Sequence, residues 1–172
     1  MAGNNSKILV CAIGNKIMGD DGFAQHVLSA LESSKFKKNL PPNVEFADFA
    51  TANFTMANLL DDYDIVVFVD AVKKGDAPGT IHEIEINRAD VRDQIDLSSE
   101  AYSFSFHESG LEELIVFANV MGFLPEKTYI LGCEPKNTEP SVDLSPEVEK
   151  SVEKAAKRVL ELVNEINEKI IQ

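Results

Sequence analysis

The run Ile8-Leu-Val-Cys-Ala-Ile-Gly-Asn-Lys-Ile-Met-Gly-Asp-Asp-Gly22, continuing as Phe23-Ala-Gln-His-Val-Leu-Ser-Ala-Leu31, sets the class of the fold. Ile8 to Ile13 is unbroken apolar sequence, the pattern of a strand covered on both faces; a half-exposed strand would alternate. Gly14 and Asn15 end the run, glycine supplying backbone freedom that β-branched residues lack. Beyond them Phe23, Val27, Ala30 and Leu31 recur at i, i+4, i+7 and i+8, a single apolar helix stripe. Asp20 and Asp21 lie between strand and helix, at the edge where open parallel sheets bind ligands. Asp is a preferred helix N-cap, and a carboxylate in the first turn gains roughly 0.3–1 kcal/mol from the helix dipole. One acid meets that need. Asp20 is expected to cap the helix, which leaves Asp21, one residue further in, facing the crevice.

The chain has 172 residues and is 44% hydrophobic, enough for one core, so residues 1–172 are expected to form a single domain. Its 29 acidic and 16 basic residues leave a net charge of −13. Such a surface repels phosphate backbones, and the short cluster Lys35-Phe-Lys-Lys38 reads as a solvated helix end, so no nucleic-acid partner is expected. No apolar run approaches membrane-spanning length, and Met1–Ser6 does not read as a signal peptide. Cys11 and Cys133 sit in apolar strands and read as small core residues rather than a disulfide or zinc motif. A reducing cytoplasm fits, and a monomer is expected.

Further along, Pro41-Pro-Asn43 breaks the chain and Val44–Phe46 begins a short second strand. Asp48-Phe-Ala-Thr-Ala-Asn53 reads as a crevice loop, and Phe54, Ala57, Asn58, Leu59 and Leu60 suggest a short helix. Ile65–Val69 is another wholly apolar strand, ending at Asp70. After the turn-rich Ala71–Gly79, the alternating Thr80–Ile86 predicts an antiparallel edge strand with one wet face. Asn87–Glu100 is charged and predicts a loop with a helical turn. Tyr102–His107 then leads to a helix from about Ser109 to Met121, with Leu111, Leu114, Ile115 and Ala118 as its buried stripe. Thr128–Cys133 is the fifth strand. Ser145-Pro146-Glu147 carries the cap, first-turn proline and early acid of a helix start. The helix stripe that follows is Val148, Val152, Ala155, Val159, Leu162, Ile166 and Ile170. The order β-α-β-α-β-β-α-β-α predicts an α/β fold: a three-layer α-β-α sandwich on a mostly parallel five-stranded sheet with one antiparallel edge strand.

Three chemistry-bearing residues collect at strand ends: Asp21 after the first strand, Asp70 at the end of the third, and His107 before the third helix. With right-handed crossovers, all three open onto one edge of the sheet. Two carboxylates and an imidazole suit a borderline metal such as nickel, zinc or manganese, although no fixed local spacing marks them as ligands. Each also has a plainer reading: Asp70 as a loop acid capping amides, and His107 as a surface or helix-start histidine.

These residues stand within blocks that resemble the nickel–iron hydrogenase maturation endopeptidases. Gly14-Asn-Lys-Ile-Met-Gly-Asp-Asp-Gly22 is similar to the family's Gly-Asn, four-residue, acid-acid-Gly pattern. Val69-Asp-Ala71 with Ala77-Pro-Gly-Thr80, Ser105-Phe-His107, and Glu134-Pro with Glu139-Pro140 match three further blocks in the same order. Two departures stand out. Phe49-Ala-Thr-Ala-Asn53 replaces a glycine-rich Gly-Gly-Thr-x-Gly loop and keeps only Thr51, and Ala24 stands where many members have glycine. The changed loop bears on which hydrogenase is served.

The resemblance implies an endopeptidase, aspartic-type by family classification. It would trim the C-terminal extension of a hydrogenase large-subunit precursor after nickel insertion. It also implies that Asp21, Asp70 and His107 are both the catalytic residues and the metal ligands. The nickel would be supplied by the precursor, held there by cysteine thiolates, and no tightly bound cofactor of the chain's own is expected. No Ser, Cys or Thr nucleophile is paired with a histidine in a recognisable motif, which argues against an acyl-enzyme. The metal as docking element, the metal as Lewis acid and a carboxylate as general base all stay open. Two other classes compete. A nucleotide-binding module would need G-x-G-x-x-G at the first turn, which Ala12–Ile17 lacks. A phospho-receiver module would place acids after strands one and three and a lysine such as Lys136 after strand five, but its paired acids belong directly at the strand end.

Overall fold

Two strands built on unbroken apolar runs, Ile8–Ile13 and Ile65–Val69, take adjacent inner positions of the sheet. In the computed structural model, which describes residues 6–92 and 110–171, the strands are β1 (Ile8–Ile13), β2 (Val44–Ala50), β3 (Ile65–Ala71), β4 (Ile81–Asn87) and β5 (Lys127–Cys133). Their order is β2-β1-β3-β5-β4. β1 pairs in parallel with β2 and β3, β3 in parallel with β5, and β4 antiparallel with β5 at the edge, as its alternating sequence predicts. The helices are α1 (Phe23–Glu32), α2 (Ser34–Lys37), α3 (Arg88–Arg92), α4 (Leu111–Met121) and α5 (Pro146–Ile171).

The period of two along each strand sorts side chains between two layers. Ile8, Val10, Ala12, Ile65, Val67 and Val69 meet α1 and α5 on one face. Leu9, Cys11, Ile13, Val66 and Phe68 meet α4 and the 3-10 helix Phe54–Asp62 on the other. Burial of one such side chain contributes roughly 1.5–3 kcal/mol, whereas strand propensities span only about 1 kcal/mol, so double-sided burial holds the centre of this sheet. The stripe of α5 is buried at Val148, Ala155, Val159, Leu162 and Ile166, half-buried at Val152, and packed against α1. The side chain of Ile170 is outside the described residues.

Three local expectations are revised. β2 runs to Ala50, so Asp48-Phe49-Ala50 is strand rather than loop; it stays paired with β1 through Ala12↔Asp48 and Ile13↔Ala50, with a bulge between. The segment expected as a short helix at Phe54–Leu60 is a 3-10 helix, and only Ala57 and Leu60 of it are buried. Those two are three residues apart, the spacing that suits three residues per turn, while Phe54 and Leu59 point to solvent. α4 starts at Leu111, after Gly110 in the left-handed region, and buries Leu111, Leu114, Ile115 and Ala118 as expected. The expected helical turn after β4 is α3; residues 93–109, with Tyr102–His107, lie outside the described residues.

Candidate active site

The strand order 2-1-3 makes a switch point between β1 and β3, and open α/β sheets bind ligands beyond the carboxyl ends of the strands at such points. Asp21 sits in the 3-10 turn Gly19–Gly22 that follows β1, and Asp70 is the penultimate residue of β3. Because β1 and β3 are parallel neighbours, both acids belong to the same edge of the sheet.

The first turn is built tightly. Gly14 has φ +135°, and a Cβ there would lie 1.9 Å from the Asp21 carbonyl oxygen, so this position requires glycine. The Asn15 amide donates to the Asp21 carboxylate at 2.8 Å and holds it toward the chain reversal. Asp21 keeps 9% of its surface exposed and lines a cavity of about 440 Å³ with Asn15, Met18, Thr51, Thr138 and Glu139. Thr51, just past β2, lines this cavity together with Asp21. Thr138 had no signal in the sequence, whereas Glu139 carried one through the Glu139-Pro140 block.

Asp70 is fully buried and is not among the residues lining that cavity. One of its carboxylate oxygens, Oδ1, accepts the Ala71 amide at 2.8 Å. His107 falls outside the described residues; Gly110, three residues on, packs against the backbone of Ala52 just past β2.

Asp20 does not cap its own helix, contrary to the sequence expectation. Its carboxylate accepts the amides of Lys136 (2.8 Å), Asn137 (2.9 Å) and Ser145 (2.7 Å) and the Ser145 hydroxyl (2.6 Å). The Asp20 amide donates to the Asn137 carbonyl, the Gly19 amide to Ser141, and the Ser141 amide to Ile17. Asp20 therefore stitches the loop after β1 to the loop after β5. Burial alone would raise its pKa, but the bonds from the Ser145 hydroxyl and the three amides outweigh it and hold the carboxyl below its usual range.

Neither thiol is poised for chemistry. Burial raises the Cys11 pKa well above its usual value, with Asp48 and Asp70 adding to the effect. Burial together with Asp20 and Glu134 pushes the Cys133 thiol up to about 12. The Lys136 ammonium pairs with Glu147 at 2.7 Å, engaged away from the acids that a phospho-receiver lysine would serve.

The hydrogenase maturation protease family model matches residues 25–162. The hydrogenase 2 maturation protease of Escherichia coli is 29% identical over 160 residues, covering 92% of each chain. The chain spans 61% of the length of the hydrogenase expression/formation protein of Rhizobium leguminosarum, at 29% identity over 133 residues and 77% of this chain. Among solved structures, a hydrogenase 2 maturation peptidase from a Thaumarchaeota archaeon superposes with a TM-score of 0.68 at 36% identity, covering 91% of this chain and 97% of that one. The E. coli hydrogenase maturating endopeptidase gives 0.72 at 28% identity, covering 92% and 93%. The match to the family spans most of the chain, and both solved relatives superpose over nearly its full length: this chain belongs to the hydrogenase maturation protease family.

Proposed function

We propose that this chain is a cytoplasmic endopeptidase that removes the C-terminal extension of a nickel–iron hydrogenase large-subunit precursor. In this reading Asp21, Asp70 and His107 recognise the nickel that the precursor already carries. The observation that carries the proposal is the cavity at the carboxyl end of the sheet, with Asp21 on its wall and Asp70 at the end of β3, the strand beside β1. Family membership supplies the reaction class.

The chemistry follows from the donor set. Nickel bound to the precursor's thiolates is a borderline ion that also accepts carboxylate and imidazole ligands. Binding it here fixes the nearby peptide bond against the crevice, which converts an encounter into a positioned reaction. Water is then the attacking group, either deprotonated by a carboxylate as general base or attacking a scissile carbonyl made more electrophilic by polarisation. A thiol nucleophile is disfavoured, since both cysteines are buried and protonated at neutral pH.

The test is trimming of purified precursor, read as a gel shift of the large subunit. Cleavage is expected with nickel-loaded precursor and not with the metal-free form, and His107→Ala should lose it. Equal trimming of nickel-free precursor, or full activity of the His107 variant, would overturn the proposal.

A further inference from the structure

We propose that Asp76, His82 and Glu134 form a second divalent-cation site, suited to a borderline ion such as Zn²⁺, which clasps the loop between β3 and β4 to the end of β5. His82 is the second residue of β4, Glu134 directly follows β5, and Asp76 lies in the loop between β3 and β4. One ligand atom from each lies within 4.8 Å of the other two, the one such grouping of His, Cys, Asp and Glu among the described residues.

The distances fit ligands around an ion better than they fit hydrogen bonds. The His82 Nε2 atom is 3.5 Å from Glu134 Oε2 and 3.6 Å from Asp76 Oδ2. Hydrogen bonds between nitrogen and oxygen run at about 2.7–3.2 Å, so both separations are long for one. A tetrahedral ion with ligands at about 2.0–2.1 Å has edges of roughly 3.3–3.4 Å between them, close to the spacing seen. His82 keeps only 9% of its surface, and its buried Nε2 makes no hydrogen bond. A bound cation would satisfy this buried nitrogen, which no hydrogen bond does.

The carboxylates are arranged as ligands are. Glu134 is 5% exposed; its Oε2 accepts the Lys74 amide at 2.8 Å and its Oε1 the Gly75 amide at 3.1 Å. Those bonds fix the group and leave Oε2 a second lone pair, the support that ligating carboxylates ordinarily have. Asp76, by contrast, is mostly exposed and forms the entry side. The surrounding backbone is already paired, Gly79 donating to the Glu134 carbonyl and Glu134 to the Thr80 carbonyl, so the ion would close a preformed loop. One imidazole and two carboxylates without a thiolate favour Zn²⁺, Mn²⁺ or Co²⁺ over Cu(I), with a position left for water. The site departs from the expectation of no tightly bound cofactor of the chain's own, which concerns Asp21, Asp70 and His107.

The test uses the full chain carrying His107→Ala, stripped with a chelator and titrated with ZnCl₂ by calorimetry. One equivalent is expected to bind, the melting temperature should rise with Zn²⁺, and the ¹⁵N resonance of His82 Nε2 should shift. In the same background His82→Gln should lose the binding, and the exposed change Asp76→Asn should weaken it about tenfold or more. Should His82→Gln not fold, the Asp76 variant and the His82 resonance decide. Unchanged binding in the Asp76 variant overturns the site. So does a His82 that behaves as an imidazolium between two carboxylates and ignores Zn²⁺. None of these readouts depends on precursor cleavage, so failure here and failure of the proposed activity are separable.

Discussion

Asp20 and Asp21 are neighbours in the chain but belong to different regions. Asp20 is sealed in the seam between the loops after β1 and β5, where its two oxygens accept four hydrogen bonds from Lys136, Asn137 and Ser145. Asp21 stands at the crevice, its carboxylate oriented by the Asn15 amide and open to the cavity that Thr51 and Thr138 also line. The same side chain is thus a structural anion at one position and, under the proposed function, a nickel ligand at the next. The distinction comes from where the donors are, since a carboxylate enclosed by amides has little capacity left for anything else.

Substitutions at the two positions should separate activity from stability. Asp21→Asn is expected to lower precursor trimming by at least about 10²–10³, the scale for losing one transition-state contact. Its melting temperature should stay within about 2–4 °C of the parent, because Asn still accepts from Asn15. A variant that trims normally would break the contrast. Asp20→Asn should instead destabilise the fold by roughly 2–4 kcal/mol, because its NH₂ group must face a donor in a buried site. That corresponds to a fall in melting temperature of very roughly 5–15 °C.

The same contrast has a pH signature. The Asp20 carboxyl titrates lower folded than unfolded, so its contribution is complete above its ordinary value near 3.9 and is lost as pH falls through the folded value. The stability gap between parent and Asp20→Asn should therefore narrow below about pH 4, measured by denaturant unfolding. A gap that widens on acidification would contradict the assignment.

The smallest effect is expected at the crevice rim. Ala50 has φ +48°, in the left-handed region that favours glycine. An L-residue pays about 1–2 kcal/mol there, and glycine returns part of that as chain entropy, so Ala50→Gly should stabilise by roughly 0.5–1 kcal/mol. Destabilisation by this change would show that the bulge needs the methyl group.

Much of the fold was legible because burial on both faces leaves a simple record. Ile8–Ile13 and Ile65–Val69 have no polar residue to interrupt them, and the alternation at Thr80–Ile86 marks an edge strand. Asp21 and Asp70 were legible as strand-end acids. The role of Asp20 was not, since its donors lie more than a hundred residues away at Lys136, Asn137 and Ser145. β2 was read too short because Asp48 looks like a loop residue, although its carboxylate accepts the Ala50 amide at 2.9 Å and the Gln25 amide at 3.0 Å within the sheet's end. The Asp76, His82 and Glu134 cluster has no local spacing at all; only the pairing of β4 with β5 brings it together.

The packing of α1 on α5 also has a consequence in time. Phe23, Val27 and Leu31 are made early, but the helix that covers them begins at Pro146. A ribosome adding about 5–20 residues per second needs on the order of ten seconds to reach Val159 and Ile166 after finishing α1. For that interval the nascent chain carries an apolar helix face without its partner, and the carboxylate of Asp20 waits for Lys136, Asn137 and Ser145. Completion of this fold therefore waits on the synthesis of α5.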